Sequence, residues 1–250
     1  RSEDICGFAI WTLADYLGAD GLSSYGVMTR DRQPKRTQYE IVRRILFEGN
    51  YFSYTRWFPP APSDNKPFVP PAPIYTDPIF NSVRDGSMVW NMEEKCWWFI
   101  YPSHRVGTEE PGHAYAHGNT VVAASTPDRG KTWIYRGRMH GIDIYPGRLT
   151  FWAPNVFRYE GRYHMVVSLA KGVHANYTGP PSLVHYTSDD MINWQFESVF
   201  DLASPSCLDA TVYRTPEGKF RMVYKDQGFN FMGWAESEDL KTWNVLGKFG

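Results

Sequence analysis

The sequence predicts a mainly β chain, a partial β-propeller with three blades visible and a remnant of a β/α barrel at its N-terminal end. Three observations predict the propeller. A strand–turn–strand unit recurs at residues 85–101 (DGSMVWNMEEKCWWFIY), 152–168 (WAPNVFRYEGRYHMVVS) and 208–225 (LDATVYRTPEGKFRMVYK). Each copy is followed by a polar phrase ending in tryptophan: ASTPDRGKTW at 124–133, YTSDDMINW at 186–194 and AESEDLKTW at 235–243. The tryptophans lie 61 and 49 residues apart, and the openings at 85, 152 and 208 lie 67 and 56 apart. Two hairpins closing in a turn and a Trp make one four-stranded blade.

In chain order, residues 1–48 stand outside the repeat. CGFAIWTLADYLG reads as an apolar strand running into a polar loop. TQYEIVRRILFE then carries Tyr39, Ile41, Val42, Ile45 and Leu46 at helical spacing. Strand, loop and terminal helix form the ending of a β/α barrel. Residues 49–79 are a linker whose proline density (FPPAPSDNKPFVPPAPIYTDP) favours extended chain over helix. Residues 80–250 are the propeller. In each blade an acidic or Glu-Gly turn (Glu93-Glu94, Glu160-Gly161, Glu217-Gly218) joins the first strand to an aromatic-rich return strand. Three blades do not close a ring, and open blade edges invite aggregation. The chain therefore reads as a piece of a longer protein.

Composition narrows the function. A net charge of −1 with 21% charged residues gives no electrostatic footprint for nucleic acid, and no apolar run is long enough to span a membrane. Cys6, Cys96 and Cys207 are far apart without CxxC spacing, so they read as small core residues, neither a disulfide framework nor a zinc site. His104, His113 and His117 fit no zinc spacing either. Aromatics make up 16% of the chain. Most serve as core spacers, and a minority suits stacking on sugar faces.

The repeat itself points to candidate chemistry. At equivalent places the three blades carry Asp85, Ala153 and Asp209. First strands of a propeller line its central channel, so these positions converge. Two readings stand. Carboxylates brought together from separate blades suit glycosidic hydrolysis, in which one activates water and another tunes the proton donor. Alternatively, Asp caps a turn there, although Ala would be odd in that role. TPDRGKTW at 126–133 is a structural Asp-box turn, with Asp128 and Thr132 bonding locally. Glu236 and Glu238 sit in the equivalent outer phrase and read as solvated turn residues.

The segments RDGSMVW, FWAPNVFRYEGRYHMVVS, LDATVYRTPEGKFRMVYK and AESEDLKTW resemble the first three blades of glycoside hydrolase family 43, five-bladed propellers that act on arabinose- and xylose-containing glycans. Likewise IWTLADY and GVMTRDRQPKRTQYEIVRR, within residues 1–46, resemble the end of the family 2 glycoside hydrolase barrel. The resemblance implies Asp85 as general base and Asp209 as the residue that modulates the acid's pKa. Trp152, Phe151 and Asn155 would contact substrate, and Trp11 would line the barrel's sugar pocket. Arg84-Asp85-Gly86 stands where family 43 usually has an Asp-Pro pair. The family's general acid opens its fourth blade, and one more repeat spacing from Asp209 places it beyond Gly250. The expected function is inverting hydrolysis of oligo- or polysaccharides such as arabinosides or xylosides, in a secreted or periplasmic setting. No cofactor is required, and the family leaves room for calcium. No nucleic acid partner and no membrane insertion are expected. The alternative is a non-catalytic carbohydrate-binding propeller attached to the barrel. A sialidase-like enzyme would need an arginine triad and a Tyr nucleophile that the sequence does not assemble.

Overall fold

The computed structural model describes residues 74–79, 83, 85–104, 118–173 and 179–249, with backbone alone at 104 and for three short strands near the N-terminus. Those three are β1 (Ala9–Ile10), β2 (Tyr16–Gly18) and β3 (Gly21–Ser23). The described residues contain no helix, and hence none long and apolar enough to cross a membrane, which says nothing of a β-barrel.

Blade 1 consists of β4 (Gly86–Asn91), β5 (Cys96–His104), β6 (Gly118–Thr126) and β7 (Ile134–Arg138). Blade 2 comprises β8 (Leu149–Tyr159), β9 (Arg162–Lys171), β10 (Ser182–Ser188) and β11 (Gln195–Val199). Blade 3 is β12 (Cys207–Arg214), β13 (Phe220–Asp226), β14 (Phe231–Ser237) and β15 (Asn244–Lys248). Each blade is an antiparallel meander, and Gly118 pairing with Phe151 joins blades 1 and 2. The first strands β4, β8 and β12 pack against one another in sequence, whereas β11 and β15 are largely exposed and β7 is half-buried in its middle. The β8–β9 turn has both central residues left-handed, Glu160 at φ 47° and Gly161 at φ 84°, the conformation that matches strand twist in a two-residue hairpin.

Middle strands buried on both faces account for the apolar run MVVSLA in β9. Met165 and Val167 pack toward blade 1 with Trp98, Ile100 and Val121, while Val166 packs toward blade 3 with Val212, Phe220 and Met222. On the other face of blade 1, Tyr75 from the end of the linker lies against Trp133 at 5.1 Å and bonds the Tyr101 hydroxyl at 2.9 Å. Buried Asp77 accepts a hydrogen bond from the same Tyr101 hydroxyl.

The barrel remnant finds no support among the described residues. β1 pairs antiparallel with β4 (Ala9 opposite Ser87, Ile10 opposite Gly86), and β2 and β3 form a separate hairpin. A short apolar strand satisfies its backbone on any free sheet edge, and the inner edge of blade 1 provides one. The helix expected within 37–48 and Trp11 lie outside the described residues.

Candidate active site

The three repeat-equivalent residues share a conformation that their sequence identity hides. Asp85, Ala153 and Asp209 all have left-handed backbones, with φ of 54°, 43° and 54°. In blades 2 and 3 the register between the first two strands shifts at this point, between Trp152 and Asn155 and between Leu208 and Thr211. Both are thus β-bulges, a device that re-aims one side chain and recurs beside active sites. Asp85 has the same backbone twist just ahead of β4. Left-handed backbone costs an L-residue roughly 1–2 kcal/mol, with Asp among the side chains that visit it most readily. The turn-forming reading of Asp at this place therefore has a physical basis, and Ala153 is the strained member of the set.

The surroundings of Asp209 suit a working carboxyl. Its side chain is open to solvent, yet protein crowds around it. Desolvation raises its pKa above the usual carboxylate range, and Lys225 partly offsets this. Its backbone N–H donates to the Ser168 hydroxyl at 2.9 Å, fixing the bulge to blade 2. Asp85 is half-buried. The inner strand of blade 2 lies between the two acids.

Asn155, for which the resemblance implies a substrate contact, also braces the fold. It is 3% exposed, and its side-chain oxygen accepts the Val212 N–H at 2.9 Å. One blade earlier, the Ser87 hydroxyl accepts the Val156 N–H at 3.2 Å. Ser87 and Asn155 each stand two residues after the left-handed position, and Val156 and Val212 each stand three after it. The pattern is a repeated brace that satisfies an inner-strand N–H from the preceding blade. Sequence reading missed Ser87 and Ser168, although aligning the repeats two residues past the opening would have found Ser87. Phe151 is fully buried and Trp152 is 9% exposed. Phe151 is thus a core ring behind the site, while Trp152 immediately precedes the bulge.

The outer phrases are local structure. Asp128 accepts from the Thr132 N–H and hydroxyl, both at 2.8 Å. Asp190 accepts from the N–H groups of Ile192 and Asn193, and Asp239 from those of Lys241 and Thr242. Glu236 pairs with Lys219 and Arg221. Among the described residues, no grouping of three or more His, Cys, Asp and Glu side chains could hold a metal ion.

No family profile and no curated protein sequence matches the chain. Solved structures do. The chain is similar to an endo-arabinase from Bacteroides thetaiotaomicron (17% identity, TM-score 0.50, covering 73% of this chain and 60% of that one). It is also similar to a family 117 glycoside hydrolase from Zobellia galactanivorans (15%, TM-score 0.52, covering 66% and 55%). A third neighbour is a GH43 β-xylosidase/α-arabinofuranosidase from a compost microbial metagenome (14%, TM-score 0.53, covering 70% and 60%). The chain spans 55–60% of the length of these three. At this identity the likeness is one of fold: the three blades have the β-propeller fold of family 43-type glycoside hydrolases.

Proposed function

We propose that the chain is the substrate-facing part of an inverting glycoside hydrolase acting on arabinose- or xylose-containing glycans outside the cytoplasm, with Asp85 as general base and Asp209 as modulating carboxyl. Asp85 takes a proton from water as it attacks the anomeric carbon, on the face opposite the leaving oxygen. A carboxylic acid from outside the three described blades gives its proton to that oxygen, the base and acid standing ~6.5–9.5 Å apart. Asp209, its pKa raised by desolvation, modulates that acid through the charge it carries beside it. Trp152 is the aromatic wall beside the site. The supporting observation is that two of the three equivalent left-handed positions carry carboxylates, one of them exposed yet desolvated enough to raise its pKa.

The test is hydrolysis of aryl arabinofuranosides and xylosides by the full-length protein. Asp85→Asn should lower kcat by ~10²–10⁴-fold with melting temperature and glycan binding unchanged. Equal rates for wild type and Asp85→Asn would remove Asp85 from the mechanism. The binding-only reading draws on Ala153, because that bulge persists without a carboxylate. Glycan binding without turnover by the full-length protein would favour it.

A further inference from the structure

The tip between β13 and β14, residues 227–230, stands at the same end of blade 3 as Asp209, since Leu208 pairs with Lys225 and Cys207 with Asp226. It holds Phe229 at 62% exposure. Two explanations would make this exposure trivial, and neither fits. A floppy tip is one, but this turn is braced on every side. Buried Asp226 accepts the Phe229 N–H at 2.9 Å and the Ser204 hydroxyl at 2.7 Å. The N–H groups of Gln227 and Gly228 donate to the Ser206 carbonyl at 3.0 and 3.3 Å. Gly228 lies so close to Pro205 and the Ser204 hydroxyl that a Cβ there would meet them at 2.9 Å.

The other explanation is a ring waiting to be covered by a neighbouring blade, and its stacking on Phe231, whose face register does fix, opposes it. Asp226 is paired with Phe231, and Tyr224 with Gly233, so Phe231 shares the face on which Met222 and Tyr224 pack toward blade 2. Phe229 stacks on Phe231, with centroids 6.3 Å apart and planes at 17°. Trp234 and Met232 belong to the opposite face. Phe229 is therefore a rigid ring presented to solvent at the Asp209 end, on the side toward blade 2.

We propose that Phe229 is a stacking platform for a xylopyranosyl unit of the bound glycan, a subsite flanking the candidate active site. This rests on the glycoside hydrolase reading and narrows its substrate. A β-xylopyranose ring carries its hydroxyls equatorially and offers a flat C–H face on each side, which a fixed phenyl ring covers well. An arabinofuranose is smaller and puckered, with less area to offer. The tip joins β13 and β14, which lie one and two strand spacings, about 5 and 10 Å, from the strand of Asp209, room to seat a neighbouring sugar unit beside the reacting bond.

Calorimetric titration of the whole chain with xylohexaose and with arabinohexaose tests this. Wild type should prefer xylohexaose. Phe229→Ala should weaken that binding about tenfold, the effect of returning one C–H face to water. The melting temperature should not move, and Phe229→Trp should restore affinity. Unchanged xylohexaose affinity in Phe229→Ala overturns this inference alone, and a preference for arabinohexaose overturns the xylose assignment. If wild type binds neither glycan, the glycoside hydrolase reading falls with it.

Discussion

Ala153 shows how backbone and chemistry are entangled at a single residue. Its φ of 43° matches the conformation of Asp85 and Asp209, but it lacks the short polar side chain that eases that conformation. Replacing it by glycine relieves roughly 1–2 kcal/mol of steric cost and gives back about 0.5–1 kcal/mol in unfolded-chain entropy. Ala153→Gly should therefore stabilise the protein by about 0.5–1 kcal/mol, raising the melting temperature by a few degrees without altering glycan affinity. A lower melting temperature would show that the bulge is not under strain. By the same logic Asn is tolerated at 85 and 209, since it also enters the left-handed region readily. That makes Asp85→Asn a fair chemical probe, because it removes a charge without removing the backbone preference.

Among the elements, the inner strands matter most, because each has an edge toward the axis whose N–H groups have no strand partner within the blade. Ser87 and Asn155 supply acceptors to the next blade, and Tyr163 supplies another brace by accepting the Met92 N–H at 2.9 Å and donating to Glu93 at 2.6 Å. Asn155→Ala would take the acceptor away from the buried Val212 N–H, at a cost of about 1–3 kcal/mol. A thermal melt should register that loss, while calorimetry should find glycan binding nearly unchanged. The reverse outcome, unchanged melting with lost binding, would return Asn155 to the sugar subsite. Glycan contact and blade bracing thus make opposite predictions for one substitution.

For the molecule as a whole, acid stability is set partly between blades 2 and 3, where His164 and His185 are stacked and bonded ring nitrogen to ring nitrogen at 3.0 Å. Phe157, Tyr159 and Phe200 surround the pair, and Glu197, Arg162 and Lys241 act on it from farther away. Burial lowers both imidazoles, with His164 adding to the effect on His185, which falls to about 4. A folded pKa below the unfolded value of 6.5 means that the unfolded chain binds the proton more readily. Stability is then complete above pH ~6.5 and declines as pH falls toward 4, by roughly 3 kcal/mol from His185. Denaturant midpoints across that window should show the slope, and His164→Asn/His185→Asn should flatten it. The turn carboxylates behave separately. Desolvation would raise Asp128 and Asp190, but hydrogen bonds from Thr132 and Asn193 leave both lowered. In blade 3 the backbone N–H groups of Thr242 and Lys241 lower Asp239 in the same way. The stabilising contribution of these carboxylates is lost below the histidine window.

The blades, their order and their turns were legible in the chain alone. They are written in short-range signals: period-two alternation, hairpin turns, and Asp and Ser or Thr placed to bond their own backbone before a tryptophan. The equivalence of Asp85, Ala153 and Asp209 was legible too, because a repeat compares the chain with itself. What that equivalence means emerged only in three dimensions. A left-handed φ at all three depends on how the inner strand bends against its neighbour, and alternation cannot express it. The same holds for the bracing role of Asn155, which the family resemblance, implying a sugar contact there, did not show. Its acceptor is taken up by Val212, 57 residues away in another blade. Phe229 was unreadable for a similar reason, since one phenylalanine in a turn looks like any other until its stacking on Phe231 shows which face it shares. At the N-terminal end, a barrel strand was expected over residues 6–18, and its described part, β1 (Ala9–Ile10), pairs along the inner edge of blade 1.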